Sequence, residues 1–134
     1  MLPSLPKKHK KDEAKFGFKF RKWVEDNYKS LVSCTFETKD TRGSNSFPFS
    51  ELTEDQMTRG MQIKSDKGCL IRVEMGTIGA PDYNYYRNAP SFVVIKYPKG
   101  WEVIDIETLI NESKKSKRRS LLHSRAKEIS ILSI

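Results

Sequence analysis

Two apolar runs, Ser91-Phe92-Val93-Val94-Ile95-Lys96-Tyr97 and Trp101-Glu102-Val103-Ile104-Asp105-Ile106, are separated only by Pro98-Lys99-Gly100. This pair limits the possible folds more than any other stretch. Runs rich in β-branched and aromatic residues read as strands, and a Pro-Lys-Gly link is a turn signal. The two runs therefore form a hairpin. Gly68-Cys69-Leu70-Ile71-Arg72-Val73 reads as another strand, and Leu31 to Lys39 alternates as one. In that last segment Val32, Cys34 and Phe36 point to one face, while Thr35, Glu37 and Lys39 point to the other.

Helical patterns interleave with the strands. From Asp12 to about Asn27, Phe16, Phe20, Trp23 and Val24 follow helical spacing, with Lys15, Lys19 and Lys22 turned outward. Residues 40–49 read as a polar loop closed by Phe47-Pro48-Phe49. Thr53 and Gln56 have capping-box spacing and Leu52 with Met57 can form a hydrophobic staple, which predicts a helix from about Glu54. A short helix is expected near Glu107 to Asn111. From Ser116 onward the pattern predicts an amphipathic helix, with Leu122, Ala126 and Ile129 on one face and Lys117, Arg118, Arg119, Arg125 and Lys127 on the rest. The order helix, strand, helix, several strands, helix predicts an α/β fold with a mixed central β-sheet flanked by helices. Residues 1–11 read as a basic flexible tail, and 12–134 as one domain ending in the basic helix.

Composition narrows the partners. Twenty-five Lys and Arg against 17 Asp and Glu give a formal charge of +8. Such an excess favours polyanions through counterion release, and it equally suits an anionic membrane surface or an acidic protein. No apolar run approaches membrane-spanning length, so a membrane-embedded protein is not expected. Met1-Leu2-Pro3-Ser4-Leu5-Pro6 leads into Lys7-Lys8-His9-Lys10-Lys11 without the hydrophobic stretch of a signal peptide. Cys34 and Cys69 are the only cysteines and form no CxxC; they read as buried thiols of a cytoplasmic protein, not as a disulfide framework or zinc site.

The chemistry centres on Glu37-Thr38-Lys39. Alternation along a strand projects Glu37 and Lys39 into the same space. A carboxylate there can bind Mg²⁺ through oxygen, and the ion lowers the pKa of a bound water and offsets charge on a phosphate. An adjacent ammonium can orient the water or stabilise the transition state. The triplet alone is unspecific: Glu-x-Lys also occurs at Glu13 to Lys15 and Glu112 to Lys114, and taken by itself an exposed strand pair explains Glu37 and Lys39 better than a site does.

The surrounding residues add weight. Phe36-Glu37-Thr38-Lys39-Asp40-Thr41, then Ser46-Phe47-Pro48, then Gln56 resembles the core of RecU-type Holliday-junction resolvases in the PD-(D/E)xK nuclease superfamily. The likeness runs from about residue 32 to 73. The whole chain also resembles small phage-encoded resolvase-like proteins, through Lys117-Arg118-Arg119-Ser120-Leu121 and Arg125-Ala126-Lys127-Glu128-Ile129. The resemblance implies a PD-(D/E)xK nuclease-like fold and a Mg²⁺- or Mn²⁺-dependent endonuclease for branched or structured DNA, acting as a homodimer in a bacterial or phage-infected cell.

It also implies roles for single residues. Glu37 would ligate the metal, Lys39 would act on the attacking water, and Gln56 would sit beside Lys39. The family's upstream Asp has no direct counterpart; Asp26 is the best-placed substitute and Glu25 the next, although both can simply close the first helix. Pro81-Asp82 lies downstream and reads as a turn. The family's His before the helical Gln is Asp55 here. Glu13 matches a first-helix acid of the superfamily, or is a solvated first turn. Thr41 and Ser46 line a phosphate path or are loop hydroxyls. Lys7, Lys8, Lys10, Lys11, Arg42, Lys117, Arg118, Arg119, Arg125 and Lys127 are the expected DNA-backbone contacts, against a plainly solvated basic face. Tyr83, Tyr85, Tyr86 and Tyr97 suit base stacking or a strand core. His9 and His123 receive no role. Two other readings remain open: a non-catalytic DNA-binding phage accessory protein on a nuclease scaffold, and a nuclease for linear duplex DNA.

Overall fold

The computed structural model describes residues 34–73 and 82–134, together with Phe18, Lys19, Lys22 and Asp26. The chain divides into two units, residues 1–32 with Ile134, and residues 33–133. In the first unit the four described residues have helical backbone and exposed side chains, within the span predicted to be helical. The basic tail, the boundary at residue 11, Glu13, Glu25 and the first residues of the strand predicted from Leu31 lie outside the described residues.

The second unit contains strands β1 (Thr35–Asp40), β2 (Ser46–Pro48), β3 (Cys69–Val73), β4 (Asp82–Tyr86), β5 (Ser91–Tyr97), β6 (Gly100–Asp105), β7 (Ser120–Leu122) and β8 (Leu132–Ser133). Its helices are α1 (Glu54–Lys64), α2 (Ile106–Lys115) and α3 (His123–Ile129). The central sheet has the order β1-β5-β6-β8. β1 runs parallel to β5, whereas β5–β6 and β6–β8 are antiparallel, so the sheet is mixed and the fold is α/β. The predicted hairpin is present, with Tyr97 opposite Gly100.

β5 is apolar from Phe92 to Ile95 because both of its faces are buried there. Val93, Ile95 and Tyr97 on one face join Ile104 of β6 in the core, with Phe47, Leu52, Ile106, Leu109, Leu121 and Ala126 packed over them. Phe92 and Val94 on the other face are buried as well. α2 contributes Ile106 and Leu109 at helical spacing. The Asp105 carboxylate starts this helix by accepting from Glu107 N (3.0 Å) and Thr108 N (3.3 Å). The same carboxylate receives Lys64 Nζ at 2.7 and 2.8 Å, which ties the end of α1 to the beginning of α2. α2 thus covers Ile106–Lys115, longer than the short helix expected from the sequence.

Two expectations need correction. The segment expected to be a loop contains β2, which pairs with β7 in the register Ser46↔Leu122, Phe47↔Leu121, Pro48↔Ser120. The helix expected from Ser116 begins only at His123. Pairing with β2 and burial of Leu121 hold Ser120–Leu122 extended, and Ser116 Oγ accepts from Arg118 N (3.1 Å) in the turn before it. Lys117, Arg118 and Arg119 are therefore exposed residues of a turn and not one face of a helix. The tyrosine-rich segment Asp82–Tyr86, for which stacking and a strand were both open, is a strand, paired antiparallel with β3.

No helix among the described residues is long and apolar enough to cross a membrane.

Candidate functional site

Thr35, Glu37 and Lys39 form the more buried side of β1, while Phe36, Thr38 and Asp40 are exposed. The sequence assigns the same two faces but gives no order of burial. Parallel pairing places Glu37 beside Val93 and Lys39 beside Ile95, on the face that carries the core. Their Cα atoms, two residues apart, are separated by about 6.6 Å along the strand.

α1 brings its polar first turn to this face. Thr53 Oγ1 accepts from Gln56 N at 3.2 Å, and Gln56 Oε1 accepts from Thr53 N at 3.1 Å, completing the predicted capping box. The other end of the Gln56 amide donates from Nε2 to Glu37 Oε1 at 2.8 Å. One carboxamide thus caps the helix and holds the strand carboxylate at the same time. Gln56 was expected beside Lys39; the hydrogen bond goes to Glu37. Lys39 has no ion pair with a carboxylate among the described residues.

Gly60 lets the helix come this close. It lies one turn beyond Gln56, and a Cβ there would meet Ile106 Cγ1 at 2.8 Å and Ser91 Oγ at 3.3 Å. Ile106 is buried and β-branched and cannot yield easily. Gly60→Ala is expected to cost about 1–3 kcal/mol in overpacking, more than the gain of roughly 1 kcal/mol in helix propensity. Urea unfolding measures the sum; an unchanged or raised midpoint would mean that α1 has room to spare.

Glu37, Gln56 and Arg59 open onto a cavity of about 270 Å³. Its wall is apolar where Ile63, Ile71 and Phe92 line it, and polar where Thr35 Oγ1 donates to Ser91 Oγ at 3.1 Å. Arg59 is absent from the sequence-based set, although its spacing of three from Gln56 on one helix was a usable signal. Cys34 also lines the cavity, and burial raises its thiol pKa. Both cysteines are free and half-buried, less enclosed than expected.

A cleft with one carboxylate, a carboxamide and a guanidinium can hold a cation or a phosphate. Among the described residues no three His, Cys, Asp or Glu side chains form a metal-binding group. Glu37 alone meets the minimum for Mg²⁺, which is commonly held by one or two carboxylates and retains water. Asp26 belongs to the other unit, where it is exposed on helical backbone.

The remaining candidates are dispersed. Arg42 is exposed in the turn after β1 at φ 55°, its N–H bonded to Asp40 Oδ1 (2.8 Å). Lys127 is exposed on α3. Arg125 is already committed, with Nε on Glu112 (2.8 Å) and Nη1 on Glu128 (2.7 Å). Lys7, Lys8, Lys10 and Lys11 lie outside the described residues. The hydroxyls of Thr41 and Ser46 are used internally, donating to Lys96 O (3.0 Å) and Ser120 Oγ (2.6 Å). Tyr97 is buried, with its hydroxyl on Leu121 O (2.9 Å), which removes it from any base-stacking role. Tyr83 and Tyr85 are exposed, whereas Tyr86 lines the cavity.

Sequence reasoning gave His123 no role. It is buried, stacked on Tyr97 with ring centroids 4.3 Å apart, and its Nε2 lies 3.8 Å from Glu102 Oε2. Ser133 Oγ donates to that same Glu102 oxygen at 3.0 Å. Burial lowers the His123 pKa from its ordinary 6.5; Glu102 opposes this, and Lys127 and Lys99 reinforce it. A histidine whose pKa falls on folding binds more protons when unfolded, so its contribution to stability is present above 6.5 and is lost as pH falls below that value. Thermal melts between pH 8 and 5 should show this loss, and His123→Gln should flatten that part of the profile. Glu112, whose carboxyl is held below 4.5 by Arg125, acts only at lower pH.

No family model, no curated protein and no solved structure matches the chain.

Proposed function

We propose that this protein is a metal-dependent endonuclease of the PD-(D/E)xK type that hydrolyses phosphodiester bonds in branched DNA. The observation that carries the reading is the hydrogen bond from Gln56 to Glu37 inside the cavity. Two segments that resemble a resolvase core, the Glu37-Thr38-Lys39 strand and the Gln56 helix, meet through this bond, and the third, Ser46-Phe47-Pro48, pairs with the strand following Lys117-Arg118-Arg119. Phe49 N donates to Arg119 O at 3.0 Å, so this basic turn is anchored next to the chain leading into α1.

In this reading Glu37 would hold Mg²⁺ or Mn²⁺, which when bound would supply Lewis-acid stabilisation of the phosphate and a water of lowered pKa. Gln56 fixes one carboxylate oxygen and leaves the other for the ion. Lys39 orients the water or offsets developing charge, and Arg59 receives a phosphate oxygen. A second carboxylate is expected from the sequence among Asp26, Glu25 and Glu13, and alanine substitution at each identifies it. Arg42, Lys117, Arg118, Arg119 and Lys127 contact the backbone without reading sequence. The active form is a homodimer, because a four-way junction is cut symmetrically by paired sites; sedimentation with and without junction DNA tests this.

One observation favours a second reading. Glu37 is the only carboxylate lining the cavity among the described residues, which suits a DNA-binding protein that keeps the scaffold without catalysis. Labelled four-way junction and linear duplex, incubated with wild type and Glu37→Ala in Mg²⁺ or EDTA, separate the possibilities. Metal-dependent junction cleavage lost in the variant is the expected result. Tight binding without cutting in Mg²⁺ supports the second reading, and equal cutting of linear duplex removes the resolvase assignment while keeping the nuclease.

A further inference from the structure

A second cavity, of about 360 Å³, is lined by Asn45, Pro98, Lys99, His123, Ser124 and Lys127. Three separate parts of the second unit build it. Lys99 lies in the tight β5–β6 turn, which fixes where its side chain starts. His123 and Lys127 are four residues apart on α3 and so share a face. Asn45, just before β2, is held against them by the bond from His123 N to Asn45 O, 3.0 Å.

The charge in this cavity is unmatched. No carboxylate lines it; Glu102 is 1% exposed and lies against Nε2 of the His123 ring, 3.8 Å away. Lys99 and Lys127 have no ion pair among the described residues. Two cations of this unit that do have carboxylate partners are Arg125, on Glu112 and Glu128, and Lys64, on Asp105 and Glu107. The Asn45 carboxamide and Ser124 hydroxyl add neutral donors. Two free ammonium groups beside amide and hydroxyl donors form a surrounding for a compact anion rich in acceptors.

His123 lines the same cavity, with its Nε2 turned to Glu102. Its Nε2 is buried and has no hydrogen-bond partner. Both lysines also disfavour a proton on its ring, so they lie within electrostatic reach of it. An anion seated between the lysines would cancel that repulsion.

We propose that this cavity is a binding site for a phosphate-class oxyanion, held by Lys99 and Lys127 and sensed by the His123 imidazole. The ligand is either the ester phosphate of a nucleic-acid backbone or a free phosphate. The free-phosphate arm does not depend on the nuclease reading, so the two can fail separately.

The test follows the His123 ring by NMR in the full chain, with His9→Gln to remove the only other histidine. Inorganic phosphate, sodium chloride at matched ionic strength, and a short duplex in EDTA are titrated in turn. The expected result is a saturable shift with phosphate or duplex, a higher His123 titration midpoint in the bound state, and no such change with chloride. Lys99→Gln/Lys127→Gln, two exposed positions, should weaken the response by about tenfold or more. A response to duplex well below the phosphate concentration needed identifies an ester phosphate; a response to phosphate alone identifies the free anion. No response to either, an equal response to chloride, or an unchanged response in the double variant overturns the site.

Discussion

Glu37→Gln protein is expected to cut a four-way junction in Mg²⁺ at least about 100-fold more slowly than wild type, since loss of a group that merely supports a metal ligand already costs roughly 10–100-fold. The substitution keeps the shape of the side chain and removes its charge. Glutamine can still meet Gln56, so the fold should remain; the charge proposed to hold the ion does not. Gln56→Ala is expected to cost roughly 10–100-fold by releasing Glu37, together with about 1 kcal/mol of stability from the broken capping box. Single-turnover cleavage under saturating enzyme, with binding measured separately in EDTA, checks both. If Glu37→Gln cleaves at the wild-type rate, Glu37 is not the metal ligand and the nuclease reading loses its centre.

The largest effect on stability is expected at Leu109. It is fully buried between α2 and the sheet, inside the cluster that joins Val93, Ile95 and Ile104. Leu109→Ala removes buried methyl groups and leaves a void that rigid neighbours on two β-strands cannot close. The expected loss is about 2–5 kcal/mol, against a total of about 5–15 kcal/mol for a domain of ordinary stability. Leu70→Ala provides the contrast: Leu70 is 61% exposed, and its loss should stay within about 0.5 kcal/mol. Urea unfolding of the two variants side by side decides the matter. Similar midpoints would mean that Leu109 does not sit in the core.

The readable parts of the fold were those written locally. β3, β5 and β6 announced themselves through apolar runs, and α1 through Thr53 and Gln56, because burial and capping leave marks within a few residues. β2 and β7 were missed since each has only three residues and Ser46 and Ser120 look like loop residues; their pairing is a fact of tertiary structure. The run from Ser116 had a helical period, and pairing with β2 overrode it. β4 was hidden because tyrosine serves strands, surfaces and stacking alike. At the site, the resemblance brought Glu37 and Gln56 into one neighbourhood, while their direct hydrogen bond carried no spacing signal. The pair of His123 with Glu102 carries no spacing signal, because strand β6 and helix α3 meet only after the chain has folded.

The parallel pairing of β1 with β5 has a kinetic consequence. Thr35 and Ser91, opposite each other in the register, are 56 residues apart. Closing so long a loop is entropically costly and slow compared with forming the β5–β6 hairpin. During synthesis Glu37 leaves the ribosome long before its strand has a sheet to join. The candidate centre therefore assembles late, after the hairpin exists to receive it, and mutations that weaken the hairpin should delay activity more than they delay the first secondary structure.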